Sequence, residues 1–242
     1  MNNRTISYSV KEWGALSPGL SEKSSWQIWL QNNKKWPAQC AQPASDLIPA
    51  ANRRRMSSLS KLAVQMALTL CENQAIDYII FASRHGELTR TTGLLEDIIQ
   101  GGDASPMAFS QSVHNTASGL FTIISQRAIP VCSLSSGHDS LPSALIEASS
   151  YLADNISHKV LIVDFDEPLP VFYQEYEKQD YLGYAVALII ESGEQYQLSW
   201  QQNKSDCCLE LPIALEFLSL LLTEQKCLTV KSYNKSWCWN KK

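Results

Sequence analysis

Apolar and polar positions follow two rhythms along this chain, and the switches between them mark its elements. Thr5 to Trp13 alternates with a period of two, which puts Ile6, Tyr8 and Val10 on one face of a strand. Pro18 and Gly19 break it, and Ser24 or Ser25 is placed to cap a short helix through Trp26, Ile28, Trp29 and Leu30. A polar stretch to about Pro49 reads as surface loop. From Met56 to Asn73 the apolar residues Met56, Leu59, Leu62, Ala63, Met66, Ala67 and Leu70 recur at helical spacing behind Arg53-Arg54-Arg55. Asp77 to Ser83, rich in β-branched and aromatic residues, predicts a buried strand ending at His85-Gly86. Leu88 to Gln100 then returns to helical periodicity.

The middle of the chain repeats the same alternation. Ser105-Pro106 opens a helical segment to Gln126, an apolar strand follows from Pro130, and a tight turn leads into a helix from Leu141 to Asn155. Lys159 to Glu167 is a second buried strand. Tyr181 to Glu191 and Tyr196 to Gln201 predict two strands joined in a hairpin at Gly193. Leu211 to Glu224 is helical, and Cys227 to Tyr233 is a last strand. Strands alternating with helices predict a mixed α/β sheet.

Composition narrows the function. The chain has 242 residues, 45 % of them hydrophobic, enough for one sizeable domain. A net charge of −4 provides no basic face for DNA or RNA. The longest apolar run, Ile213 to Leu222, is interrupted by Glu216 and is too short to cross a bilayer, and the first residues lack the apolar core and cleavage site of a secretory signal. A soluble cytoplasmic protein is expected. Seven cysteines, with one vicinal pair at Cys207-Cys208, show neither metal-ligand spacing nor a disulfide framework. No metal or cofactor is expected.

Five short signatures occur in order: Arg53-Arg54-Arg55-Met56-Ser57, Ser83-Arg84-His85-Gly86-Glu87, Ser105-Pro106, Phe109-Ser110 with Ser112-Val113-His114-Asn115, and Asp164-x-Asp166-Glu167 before Pro170. On these residues the chain resembles the N-terminal, thiolase-like half of β-ketoacyl synthases, and more closely the short ketosynthase-like chain-length factors of aryl polyene pigment clusters. The resemblance covers residues 5 to 192. It implies an α/β, thiolase-like fold over residues 1–192, with residues 193–242 as a C-terminal extension packed on the same domain.

Two departures from that family bear on function. Its reactive cysteine stands at the turn from a strand into a buried helix, in a pattern like Thr-Ala-Cys-x-x-Gly. Here the turn reads Cys132-Ser133-Leu134-Ser135-Ser136-Gly137, so Leu134 takes the cysteine's place. Leucine has no ionisable nucleophile with which to form a thioester. The second half of a ketosynthase, which carries two decarboxylating histidines, has no counterpart after Ser192. The histidines at 85, 114, 138 and 158 do not map onto that pair.

The resemblance thus implies a non-catalytic chain-length factor that heterodimerises with an active ketosynthase and shapes its acyl tunnel, with an acyl carrier protein reaching the complex. Val131, Cys132, Ser133 and Leu134 would form an edge strand awaiting the partner. Phe109, Ser112, Val113, His114 and Thr116, with Leu134, are the candidate tunnel and interface residues. Arg84, His85 and Arg90 suit a phosphate or an acidic carrier, or else ion pairs with Glu87 and Glu96. The alternative is a stand-alone condensing or acyl-transfer enzyme using Cys132 or a serine of the turn. His138-Asp139 beside serines invites a hydrolase reading, but the Gly-x-Ser-x-Gly elbow is missing. Trp200, Trp237 and Trp239 mark the extension as the cover for a sheet face left open by the half-length fold.

Overall fold

Only a strand covered on both faces is apolar at nearly every position, and the runs that meet this description lie at the centre of the sheet. A computed structural model describes residues 4–72, 74–103, 105–202 and 209–242. In chain order its elements are β1 (Arg4–Leu16), α1 (Lys23–Gln31), α2 (Ala50–Arg53), α3 (Ser58–Cys71), β2 (Tyr78–Ala82), α4 (Leu88–Ile99), α5 (Pro106–Ser110) and α6 (Thr116–Ser125). They continue with β3 (Val131–Leu134), α7 (Ser140–Asp154), β4 (Lys159–Asp166), β5 (Tyr184–Gln202), α8 (Ile213–Leu222), β6 (Cys227–Lys231) and β7 (Lys235–Lys241). Short 3-10 turns cover Gly137–Asp139 and Val171–Tyr176.

β3, β2 and β4 run parallel, and β5 is antiparallel to β4 and to β1. The second half of β5 pairs with β7, which pairs with β6. Alternate side chains of each strand feed two separate cores. Ile80, Val160, Ile162, Val186 and Leu188 meet α1, α7 and α8. Ile79, Phe81, Leu161, Val163 and Phe165 meet α3 and α6. The result is a helix layer on each face of one mixed sheet.

Of the described residues in 193–242 only α8 covers a face, the first of these; the tryptophans expected to mark the cover sit on β5 and β7, which prolong the sheet and face α8. Ile213, Leu215, Phe217 and Leu218 of α8 join the cluster that holds Trp26 and Trp29 of α1, with Trp237 and Trp239 fully buried and Trp200 half-buried against Trp237. Residues 192 and 193 both lie within β5, so the sheet runs without a break from the first segment into the second.

Four local expectations change. The hairpin at Gly193 is instead a bulge within one 19-residue strand. β1 is the cause, because Arg4 to Tyr8 pair with Trp200 to Tyr196 while Ser9 to Leu16 pair with Glu191 to Ala185, holding both halves in line. Gly193 permits the approach: a Cβ there would fall 2.0 Å from Ser9 Oγ. The helical segment from Ser105 splits into α5 and α6, because the intervening backbone bonds outward, with Thr91 Oγ1 donating to the Ser112 carbonyl at 2.8 Å. The first helix is capped at Glu22 rather than at Ser24 or Ser25. β7, which lies beyond the strand predicted to be last, is held by the alternation of Trp237 and Trp239 into the core.

Candidate functional site

The parallel strands β2, β3 and β4 end at one rim of the sheet, and the loops leaving them hold most of the residues singled out by sequence. Among the described residues β3 is an edge strand, paired only with β2 from Ile79–Val131 to Ala82–Leu134. Leu134 is its last residue, half-buried against the α7 layer, and its carbonyl accepts from Ser83 N at 3.1 Å. The turn beyond it is held by Ser135 Oγ, which donates to the Arg84 carbonyl at 3.0 Å, and by Ser140 Oγ, which donates to the Gly137 carbonyl at 2.8 Å and accepts from Ser136 N at 3.2 Å. Gly137 has a φ of +58°, the left-handed region that glycine enters without strain.

Cys132 lies inside the strand, opposite Ile80 and away from the start of α7. Nothing there supplies the helix N-terminus that activates a thiol. Ser133 turns to the other face and bonds Ser118 of α6, Oγ to Oγ at 2.8 Å. Val131, half-buried, packs against that second core, as do Leu120 and Ile124.

Asp166 organises the loop after β2. Its carboxylate accepts from Ser83 Oγ at 2.9 Å, Arg84 N at 2.8 Å and His85 N at 3.2 Å. Burial pushes its pKa up to about 6 against the pull of these donors. Burial, with Asp166 as a second cause, pushes Asp164 up to about 8, and the Tyr184 hydroxyl donates to it at 2.8 Å. His85 is held down at about 4, first by burial and then by the Arg84 charge. Behind the rim, Arg84, His138, Asp164, Asp166, Gln179, Tyr181 and Tyr184 line a cavity of about 20 Å³. Such a space holds about one water and no acyl group.

Arg84 and Arg90 are engaged within the chain. Arg84 Nη1 donates to Gln179 Oε1 at 3.2 Å and lies 3.7 Å from Glu177. Arg90 donates to Gln111 and to the Arg55 carbonyl and pairs with Glu87 at 3.6 Å. Of the two carboxylates expected for these arginines, Glu87 is found in place. Its Oε1 also accepts from the Ser57 and Ser60 hydroxyls, which draws the start of α3 into the rim.

The Phe109 to Thr116 group divides in two. His114 packs into the rim, its Nε2 3.0 Å from the Ser83 carbonyl, where a Cβ on Gly86 (φ +57°) would sit 3.0 Å from the imidazole ring. Ser112 and Thr116 hydroxyls donate to the Phe109 and Val113 carbonyls at 2.9 and 2.7 Å. Phe109, 61 % exposed, and Val113 face outward, in company with Met107, Ile99 and Ile123. Sequence reading singled out the Asp164-x-Asp166 motif but assigned it no role, although two carboxylates alternating within an apolar strand are themselves the sign of a buried polar cluster.

Among the described residues no three His, Cys, Asp or Glu side chains are grouped to hold a metal ion, and no helix is long and apolar enough to cross a membrane. Cys40, Cys71, Cys132, Cys227 and Cys238 are free thiols, while the Cys207-Cys208 pair lies outside the described residues.

Comparisons with known proteins bear on this geometry. The family model "Beta-ketoacyl synthase, N-terminal domain" matches residues 26–240. A solved chain from the ketosynthase (ApeO) in complex with its chain length factor (ApeC) of Xenorhabdus doucetiae aligns with a TM-score of 0.89 at 31 % identity, over 98 % of this chain and 100 % of that one. The ishigamide ketosynthase/chain length factor aligns with a TM-score of 0.63 at 14 % identity, over 82 % of this chain and 67 % of that one. A β-ketoacyl synthase of Burkholderia phymatum STM815 aligns at 0.58 and 12 % identity, over 84 % and 65 %. At these last two identities the likeness is one of fold. No curated protein sequence matches the chain.

Proposed function

This chain belongs to the β-ketoacyl synthase family, through its thiolase-like N-terminal domain, and from that premise we propose that it is a non-catalytic chain-length factor. In this reading it heterodimerises with an active ketosynthase and limits how far an acyl chain extends in the shared tunnel during aryl polyene synthesis. The observation that carries the proposal is Leu134 at the last position of β3, before the Gly137 turn and the start of α7, where the family has its cysteine. Apolar bulk there is a wall and not a nucleophile.

Three features support the reading. The edge of β3 is free to pair with another chain. Phe109, Val113, Met107, Ile99 and Ile123 expose apolar surface on the segment that connects β2 to β3. A chain of matching extent occurs in a ketosynthase–chain length factor complex. Phe109, Val113 and Leu134 are assigned to the tunnel wall. Val131, Cys132 and Ser133 form the pairing edge, and Ser112, His114 and Thr116 set the backbone behind the wall. The carrier protein docks mainly on the ketosynthase, and contact with this chain is assigned to the rim loop of Arg84, His85 and Arg90.

Co-expression with the ketosynthase encoded beside it, followed by mass measurement in solution, tests the proposal. A stable one-to-one complex is expected. A monomer that ignores the ketosynthase, together with selective labelling of Cys132 by an electrophilic ketosynthase inhibitor, would overturn it in favour of a stand-alone enzyme.

A further inference from the structure

The turn that carries Leu134 is gripped from the far end of the chain. Trp237 Nε1 in β7 donates to Asp139 Oδ1 at 2.8 Å, linking residues 98 positions apart. Lys235 Nζ lies 3.9 Å from the other oxygen of the same carboxylate. The Tyr233 ring packs on His138 with centroids 5.4 Å apart. The connection between β6 and β7 is closed by Ser232 N donating to the Lys235 carbonyl at 2.7 Å, so the three contacts come from one hairpin. Trp237 is fully buried and packs at a tilt against Trp200 of β5, which ties the hairpin to the longest strand of the sheet.

The contacts fall on the His138-Asp139 end of the turn, beyond the bonds that Ser135 and Ser136 make to Arg84 and Ser140. Ser135 and Ser136 are exposed, among the described residues β3 pairs with no strand but β2, and Asp139 caps α7 without bonding that helix through its side chain. An indole N–H donated to a carboxylate is a directional, charge-assisted bond, and the buried ring cannot swing to follow a moving acceptor.

We propose that the Tyr233–Trp237 hairpin is a specificity element which clamps the Leu134–Asp139 turn and so fixes the position of the Leu134 wall. The proposal rests on the chain-length reading above. Leu134 stops a growing acyl chain at one length only if its backbone holds still under contact, and the hairpin provides that stiffness from a part of the chain that touches no acyl group. Tyr233, Lys235 and Trp237 are positioning residues acting through His138 and Asp139.

Asp139→Ala and, separately, Tyr233→Ala test the clamp in the full chain. Tyr233 is half-exposed, so its replacement keeps the test available if the other variant fails to fold. In Asp139→Ala, amide hydrogen exchange at positions 136 and 139 is expected to quicken by roughly tenfold, as for loss of one charge-assisted hydrogen bond, and in Tyr233→Ala, which loses only the ring contact with His138, by about two- to threefold, with protection of β5 and α8 unchanged. With the ketosynthase present, products should spread toward longer chains. Asp139→Asn, whose amide oxygen still accepts the indole N–H, should bring the distribution back. Unchanged exchange in both variants would overturn the clamp. Faster exchange with unaltered product lengths would overturn its role in specificity. If the unsubstituted chain forms no complex with the ketosynthase, the chain-length reading falls, while exchange in the isolated chain still decides the clamp.

Discussion

Among the described residues β3 and β6 are, with β1, strands paired on one side only, and the first two carry opposite side-chain chemistry. β6 alternates cleanly: Leu228 and Val230 point into the core, while Cys227, Thr229 and Lys231 meet water. A lysine and polar neighbours on an edge discourage pairing with another chain. β3 has no such alternation. All four of its residues are half-buried, and the helices leading to it expose Phe109 and Ile123 at 61 % and 65 %. One edge is finished for solvent, and the other is short of a covering surface. Hydrogen-bonding capacity alone does not make an interface, because the apolar surround is what a partner gains by covering.

The contrast is open to direct attack. The largest effect is expected from charge on the apolar side: Phe109→Asp with Ile123→Lys should weaken association with the ketosynthase by at least about thirtyfold, the scale of one lost hot spot. Thr229→Lys on the polar edge should leave it unchanged. Sedimentation of the co-expressed pair reads both. Next comes stability. Phe121→Ala, which empties a fully buried site beneath β3, should cost about 3–5 kcal/mol in denaturant unfolding. Phe109→Ala, an exposed site, should stay within about 0.5 kcal/mol yet lengthen the products. Equal losses in the two would dissolve the distinction between core and wall.

A third prediction concerns the turn. Leu134→Cys should become labelled by an electrophile without gaining condensation activity on its own, because a thiol at this position brings no decarboxylating pair with it. Turnover by the isolated variant would refute the non-catalytic reading.

The smallest effect lies between the two edges. Asp164 and Asp166 have folded-state pKa values raised to about 8 and about 6, so the folded chain binds more protons than the unfolded chain between roughly pH 4 and 8. Their contribution to stability is complete below the unfolded value and is lost as pH rises through the folded values. His85, depressed to about 4, and His138, also depressed, act in the opposite sense below their ordinary value of 6.5. The clean window is therefore above pH 6.5, where stability should fall toward pH 8 through Asp164. Asp164→Asn should flatten that fall, as thermal melts across the window would report.

Much of the fold was legible in local pattern. The alternation at Ile6, Tyr8 and Val10, the helical spacing from Leu59 to Leu70 and the apolar run before Asp164 each determined an element with bounds close to those observed. Gly193 misled because glycine followed by a polar residue carries the same local signal for a turn and for a bulge. The choice was made by β1, which lies more than 170 positions away and pairs with both sides. The rim was half legible. The position of Leu134 and the motifs around Arg84 and Asp166 were readable as short strings, but that Arg84 faces Gln179 and Glu177, and that His114 packs on Gly86, depends on how three loops converge.

By itself, then, the sequence determined most of the strands and helices, the leucine in place of a thiol at position 134, and the Asp164-x-Asp166 pair within an otherwise apolar strand. These are properties of neighbours along the chain, and side-chain period and chemistry express them without reference to anything distant. The tertiary structure alone decided that β5 runs unbroken, that the Trp237–Trp239 strand extends the sheet while α8 covers one of its faces, and that Trp237 reaches Asp139. Those outcomes depend on register and on the loss of chain entropy when remote segments meet, and local periodicity carries no record of either.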